Sequence, residues 1–594
     1  MTEAIKSKND LCTGCNRCVR ECPMELACIT YLDDEGNIKV KIDLEQCIAC
    51  GRCVLACKHD ARYFADDTLR FFTDLATGVP ISLIAAPSIR TNIPEYKRLF
   101  TYLKKLGVNK IYDVSLGADI CVWAHIKYIE KTGVVPMITQ PCPAIVTYCE
   151  MYHIDLLKRL SPVHSPMACT SIYMSSHKGI TDSIAAISPC IAKSNEFDET
   201  NLSQYNITFS KMMSYLEFNN IELPEEETDF DHNESGLGSL FPMPGGMLEN
   251  IEYFLGKRLH IAKAEGYDVY EKLNIYATTP EEFLPDIYDV LNCNEGCNIG
   301  SATSHDKSVF EIDKSMDANR KRATAERNRE HYEQEHKKYD EMFELEEFLR
   351  EYKPVLHPFP LITNADIKAA YDKLGKKDYE KQHVDCGACG SDTCYEMARK
   401  IVLNVNIPEN CIVKSKEDAK AEHDINIRAL EQLAQMEKMR EADERMRVVL
   451  AVNPHMNVLF DSNLKVVDCN PAAIKFMGFK SKEEMLNGFI ERFAGNLPEY
   501  QPDGRVTIPI HARLKNTVKN GHDIFETEIN LEGTKRILAI ELRKIPYENS
   551  FAIIVFAHDI TEMRNRELEL MMVQKINELQ IAKMNLMVQA THIG

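Results

Sequence analysis

The sequence predicts a multidomain chain of mixed α+β and α/β architecture built around several metal centres. Three observations carry this. The chain has 594 residues, which at roughly 100–200 residues per domain means about three to five domains. It holds 21 cysteines in short clusters, in a chain too long to be a secreted disulfide scaffold. Between the clusters, apolar runs of strand length alternate with amphipathic runs of helix length. Cysteines used in this way point to metal binding or redox chemistry.

Composition excludes several function classes. With 70 Lys+Arg against 90 Asp+Glu, the net charge is −20, so neither nucleic acid nor an anionic membrane is an expected partner. No apolar run approaches the ~20 residues that span a bilayer. The opening MTEAIKSKND lacks the apolar core of a secretory signal, so the expected location is cytoplasmic.

Residues 1–66 carry two cysteine runs, CTGCNRCVREC at 12–22 and CIACGRCVLAC at 47–57. Both read C-x2-C-x2-C-x3-C, the bacterial ferredoxin pattern, in which the fourth cysteine serves the other cluster. One [4Fe-4S] cluster is therefore expected on Cys12, Cys15, Cys18 and Cys57, and a second on Cys47, Cys50, Cys53 and Cys22. Thiolates are the soft donors such clusters need. Zinc prefers two separated pairs to triple runs. Lys58 replaces the proline that follows the first run, and Cys28 reads as a small core residue.

Residues 67–355 change texture. ISLIAAP (81–87) reads as a buried strand, YKRLFTYLKKLG (96–107) as an amphipathic helix and VNKIYDV (108–114) as another strand. No GxGxxG or P-loop follows a strand, so nucleotide binding is not indicated. Four cysteines lie in TQPCPAI (139–145), SPCIAKSNE (188–196) and NCNEGCNIG (292–300). In this order after a ferredoxin segment, and with GVNKIYDVSLGAD (107–119) and PGGMLEN (244–250), the region resembles the H-domain of [FeFe]-hydrogenases.

The resemblance implies that Cys142, Cys190, Cys293 and Cys297 ligate the [4Fe-4S] part of an H-cluster, with Cys297 bridging to a two-iron CO/CN/dithiolate subcluster. It implies that Lys193 donates to a cyanide ligand and that Glu196 orients Lys193. The substrates implied are H2 and protons. Departures from the family pattern concern proton transfer, which needs a titratable group within hydrogen-bond reach. Pro141 stands where a relay cysteine is usual, and Ala124 and His125 stand where an acidic pair is usual; Ser161 matches a relay serine. Ser188 and Leu291-Asn292 also replace the usual Met and Met-Ala. Low turnover is expected, unless water or His125 substitutes.

The charged stretch 313–353 reads as one long solvated helix. In residues 356–414, Cys386, Cys389, Cys394 and Cys411 give C-x2-C-x4-C-x16-C, which resembles an Fe-S domain of corrinoid and electron-transfer proteins and implies a further [4Fe-4S] cluster, with zinc as the alternative. Residues 415–447 form a charged helix with an apolar stripe of Leu430, Leu433, Met436 and Met439, fit for packing onto a neighbour or for a two-stranded linker.

Residues 448–562 present strands NVLFD and KVVDC, a helix opening at Asn470-Pro471, strands FETEINL, RILAIELRKI and SFAIIVFAHDI, and the exit Asp559-Ile560-Thr561. This order resembles a PAS domain. Its ligand is unknown, since Cys469 and His558 read as core or turn residues. Residues 563–594 follow as a signalling or coiled-coil helix, with Met572, Ile576, Leu579 and Leu586 at a/d spacing.

Sixteen of the cysteines thus stand in four ligand sets, for three [4Fe-4S] clusters and an H-cluster. The combined expectation is a sensory, PAS-containing [FeFe]-hydrogenase. It would exchange electrons with ferredoxin or another redox protein, form a homodimer and signal to a partner in trans. The alternatives are a metabolic, ferredoxin-linked enzyme and a non-catalytic hydrogenase-like protein without the two-iron cofactor.

Overall fold

The computed structural model describes residues 4–590, except 140–141, 233–235, 256–258, 327–328 and 357–359. It divides into two compact units, Met1–Lys420 and Ala421–Gly594.

The first unit opens with two short antiparallel pairs, Ile5–Ser7 with Arg62–Phe64 and Cys28–Leu32 with Ile38–Ile42. Each cysteine run lies on a loop that enters a one-turn helix, Arg17–Arg20 or Arg52–Ala56. Asn16 and Gly51 take left-handed backbone angles at the helix starts, φ 59° and 81°.

Two parallel sheets follow. One has the order Ile111–Asp113, Ile81–Ala85, Ser183–Ser188, Tyr205–Thr208. The other has the order Ile261–Glu265, Ile287–Leu291, Met137–Thr139. Their central strands Ile81–Ala85 and Ile287–Leu291 are buried at every position because both faces are covered. The three-stranded sheet shares one apolar core with the cysteine loops of residues 4–64, so the two regions pack as one body. The helix Val114–Thr132 crosses Pro166–Ile172 closely: a Cβ at Gly117 would stand 2.0 Å from the Pro166 carbonyl oxygen.

The stretch expected as one long solvated helix differs. It forms helices Val309–Glu326 and Arg329–Met342, then a turn at Leu345–Phe348. Ile312, Met316, Tyr332, Tyr339 and Phe343 are buried. The charge density hid an apolar stripe: Tyr332, His336, Tyr339 and Phe343 recur at helical spacing, and the Tyr339 ring touches those of His336 and Phe343.

The small module near the end of this unit packs helix Asn364–Lys373 on helix Cys394–Val402 around a core of its own. Both helices start with a capping box, Thr363–Asp366 and Thr393–Glu396. From Cys411 the chain enters a 41-residue helix, Ile412–Val452, whose Leu430, Leu433, Met436 and Met439 are exposed.

The second unit holds a five-stranded antiparallel sheet ordered Val466–Cys469, Met456–Phe460, Ser550–Asp559, Thr534–Tyr547, His522–Leu531. Asn470 caps the helix Pro471–Phe476, its side chain accepting from the Ala473 N–H at 3.1 Å. Helices Lys482–Gly495 and Ile510–Asn520 cover one sheet face. This is the element order of the PAS resemblance. Thr561–Ala590 then continues as a helix. Among the described residues, no helix is long and apolar enough to cross a membrane.

Candidate metal centre

The cysteine loops of the middle region all leave the carboxyl ends of parallel strands. Cys142 follows Met137–Thr139, Cys190 follows Ser183–Ser188, and Cys293 and Cys297 follow Ile287–Leu291. In open parallel sheets that end of the strands forms the binding crevice. With Pro87 and Ser88 beyond Ile81–Ala85, these loops line one cavity, whose roughly 820 Å³ includes space open to solvent. Met167, Phe241 and Pro242 give it a largely apolar wall, and Lys193 supplies its cation.

Local geometry fixes each loop. Cys142 immediately precedes the helix Pro143–Tyr152, whose first position is a proline. The Cys190 N–H donates to Ser188 Oγ at 3.3 Å, and Asn206 Nδ2 donates to the Cys190 carbonyl at 3.0 Å. At Gly296, φ is 61° and a Cβ would meet the Pro242 carbonyl oxygen at 2.2 Å, so only glycine serves between Cys293 and Cys297. Ser188, a departure from the expected Met, thus anchors the Cys190 loop from behind.

Burial pushes the Cys190 thiol up to about 11 and the Cys297 thiol up to about 12, and it raises Cys142 and Cys293 as well. Loading a metal cluster there therefore releases protons. Among the described residues, no group of three or more His, Cys, Asp or Glu could hold a single metal ion. A cubane takes one thiolate per iron, so its sulfurs need not converge on one point. Four soft donors around a roomy, apolar cavity fit an iron–sulfur group with a further iron-containing part beside it.

Lys193 is buried at the start of helix Lys193–Thr200. Its ammonium contacts the Glu196 carboxylate and donates to Ser165 Oγ at 3.2 Å. Burial opposes the Glu196 charge, but the Lys193 ammonium prevails and holds its carboxyl below the usual range. The pair keeps one cation aimed at the cavity wall.

Pro141 lies outside the described residues. Ala124 is buried. His125 Nε2 and Ser161 Oγ stand 2.8 Å apart, both buried, so the imidazole meets this hydroxyl directly. Two features escaped sequence reasoning. Asp289, buried on the strand that leads to Cys293, accepts from the Gly245 N–H at 3.0 Å and the Thr139 hydroxyl at 3.3 Å. Burial pushes its carboxyl up to about 6. Cys121 and Cys169 both donate to the His164 carbonyl, at 3.5 and 3.4 Å, beside His125. An acid inside an otherwise apolar strand, YDVL, was the available signal for Asp289. The cysteines carried none, since their 48-residue separation is not a motif.

In the N-terminal lobe, Cys22 sits close enough to Cys47, Cys50 and Cys53 that its charge raises each of their thiols, burial contributing most. The Cys28 thiol holds Cys18 down at about 6 against burial, with help from Arg62. Cys12 is buried, Cys15 exposed and Cys57 half-buried. In the small module, Cys389, Cys394 and Cys411 are buried and Cys386 is exposed. The Asp385 N–H points at Cys394 Sγ, 3.4 Å away.

Comparison with known proteins agrees with this arrangement. Residues 79–301 match the family described as iron only hydrogenase large subunit, C-terminal domain. Residues 11–61 match a 4Fe-4S dicluster domain, and residues 382–413 match "Putative Fe-S cluster". Iron hydrogenase 1 of Clostridium pasteurianum is 24% identical over 292 residues, 36% of this chain and 51% of that protein. The chain thus spans about half the length of that relative. A variant of [FeFe]-hydrogenase HydA1 from Chlamydomonas reinhardtii aligns over 49% of this chain and 99% of its own, at 19% identity and TM-score 0.37. A PAS domain of an HTR-like protein from Haloarcula marismortui aligns over 21% of this chain and 98% of its own, at 13% identity and TM-score 0.18. The segment that lines the four-cysteine cavity, residues 79–301, thus matches the iron-only hydrogenase large-subunit domain.

Proposed function

We propose that the protein is a slow, sensory [FeFe]-hydrogenase that interconverts H2 with protons and electrons. Cys142, Cys190, Cys293 and Cys297 would hold the H-cluster, whose two-iron part supplies, when bound, the open iron site that polarises H2 and an amine that takes the proton. The observation that carries the reading is the meeting of these four cysteines and Lys193 around one cavity at the strand ends, with Glu196 paired to Lys193. Lys193 would donate to a cyanide ligand of that group, and Glu196 with Ser165 holds its ammonium in place. The apolar wall excludes water, which strengthens that contact.

Slowness follows from the proton route. Pro141 has no exchangeable proton, and Ala124 replaces an acid with a methyl group. His125 and Ser161 retain one hydrogen-bonded step. The cysteine sets of residues 12–57 and 386–411 would hold three [4Fe-4S] clusters that carry the electrons. The unit that resembles a PAS domain would turn their redox state into a signal for a partner protein, with the exposed stripe on Ile412–Val452 available for a second copy.

The test is H2 oxidation by fully matured protein with an artificial one-electron acceptor. Turnover orders of magnitude below that of an enzyme with the relay thiol is expected, and Pro141→Cys should raise it. Fast turnover in the unaltered chain would favour the metabolic reading instead.

A further inference from the structure

We propose that the 386–411 site is the outer terminus of a single line of four iron–sulfur sites, so that electrons released at the cavity leave the line beside the helix that starts at Ile412. This rests on the reading of these cysteines as cluster ligands. The order of the line comes from contacts between loops, all within Met1–Lys420.

At the inner end, Asn292 joins the cavity to the second cysteine run. Its Nδ2 donates to the Cys50 carbonyl at 3.2 Å and approaches Cys293 Sγ at 3.4 Å. Cys50 itself lines the cavity. A Cβ on Gly51 would stand 2.6 Å from Ser301 Cβ, so the run is pressed against the loop that follows Cys297. The next link lies within the N-terminal lobe, where Cys22 of the first run lines one small cavity together with Cys47, Cys50 and Cys53 of the second.

At the outer end, the first run meets the small module. Asn16 lies between Cys15 and Cys18, and Asn410 precedes Cys411. Asn16 Nδ2 donates to Asn410 Oδ1 at 2.9 Å, and Asn410 Nδ2 donates back to Asn16 Oδ1 at 3.2 Å. Both side chains are buried, and buried amides are tolerated when paired in this way. Asn410 also donates to Asn406 Oδ1 at 2.6 Å, and Asn406 Nδ2 donates to the Cys389 carbonyl at 3.1 Å. The network therefore runs from one cysteine loop to the other. A Cβ on Gly390 would sit 3.0 Å from Val19 Cβ, which marks how near the loops approach. Around the rim, Arg399 makes two 3.1 Å hydrogen bonds to the Glu25 carboxylate, and the Thr30 N–H donates to the Val405 carbonyl at 2.9 Å.

Electron tunnelling falls steeply with distance, so loops in direct contact define neighbouring sites. The order is then the cavity, Cys47/50/53/22, Cys12/15/18/57 and Cys386/389/394/411. Splitting H2 gives two protons and two electrons. Clusters held by these cysteine sets would carry the electrons one at a time, and a one-electron carrier protein at the outer end would accept them. Cys386 is exposed at that end, while Cys411 is followed directly by the long helix.

The experiment is electron paramagnetic resonance of the dithionite-reduced full-length protein, compared with Cys389→Ser/Cys394→Ser. The double variant should lose the iron of one cluster, about four atoms per chain. The cluster on Cys12/15/18/57 should then lose spin–spin broadening and relax more slowly. Stepwise reduction of the unaltered protein gives the same information without a variant, since broadening should appear only where both outer clusters are reduced. If the remaining signals equal the original minus one independent component, the line is wrong. Unchanged iron content in the variant would also overturn it, by removing its terminus. Neither result touches the H-cluster reading, which is decided by infrared bands from the cavity.

Discussion

Asp289 shows how one side chain ties stability to pH. Its carboxyl is pushed from 3.8 up to about 6, chiefly by burial, with the Gly245 N–H and Thr139 hydroxyl opposing. A carboxyl raised in the folded state contributes stability that is complete below about pH 4 and lost as pH rises through about 6. Asp289→Asn cannot ionise, so at pH 8 it should be more stable than the parent by up to about 3 kcal/mol, while at pH 4 the gain should vanish. Unfolding midpoints at the two pH values check this, and a pH-independent difference would contradict it. The Lys193–Glu196 pair has the opposite sign. Glu196→Gln leaves a buried ammonium facing a neutral amide and should cost about 3 kcal/mol in thermal or denaturant unfolding. What was legible in the sequence was position: the motifs singled out the four cysteines and Lys193 that line one cavity. Asp289 and the Asn16–Asn410 pair were not legible, because their meaning depends on partners between 44 and 394 residues away.

At the scale of elements, close approach is set by small residues. Gly117 lies in the helix Val114–Thr132 where it meets Pro166–Ile172. A Cβ there would stand 2.0 Å from a backbone carbonyl oxygen and 2.1 Å from Thr170 Oγ1. Gly117→Ala should therefore exceed the usual overpacking cost of about 1–3 kcal/mol, because a backbone atom cannot swing aside. A sharp fall in the thermal midpoint is expected, and an unchanged midpoint would contradict the packing. The buried strand Ile81–Ala85 was legible as an apolar run, and the helix at Asn470-Pro471 from the order of elements around it. The stretch 313–353 was not, because its charged residues outnumber the apolar stripe that buries Tyr339 and Phe343. Periodicity, not net polarity, determines which face of a helix packs.

At the scale of the molecule, the N-terminal cysteine lobe, the parallel sheets and the small module form one compact unit, and the sheet that resembles a PAS core forms another. The domain content was readable because each module carries its own spacing signature. The packing of the modules was not, since the contacts that join them run through Asn292, Asn410 and glycines without a motif. The central claim is that the four-cysteine cavity accepts an H-cluster. Infrared spectroscopy of protein matured with the two-iron cofactor tests it most directly. The account predicts bands from iron-bound carbon monoxide and cyanide, which shift slowly under H2 and disappear in Cys297→Ala. A matured protein with its cubane iron in place and no such bands would contradict it.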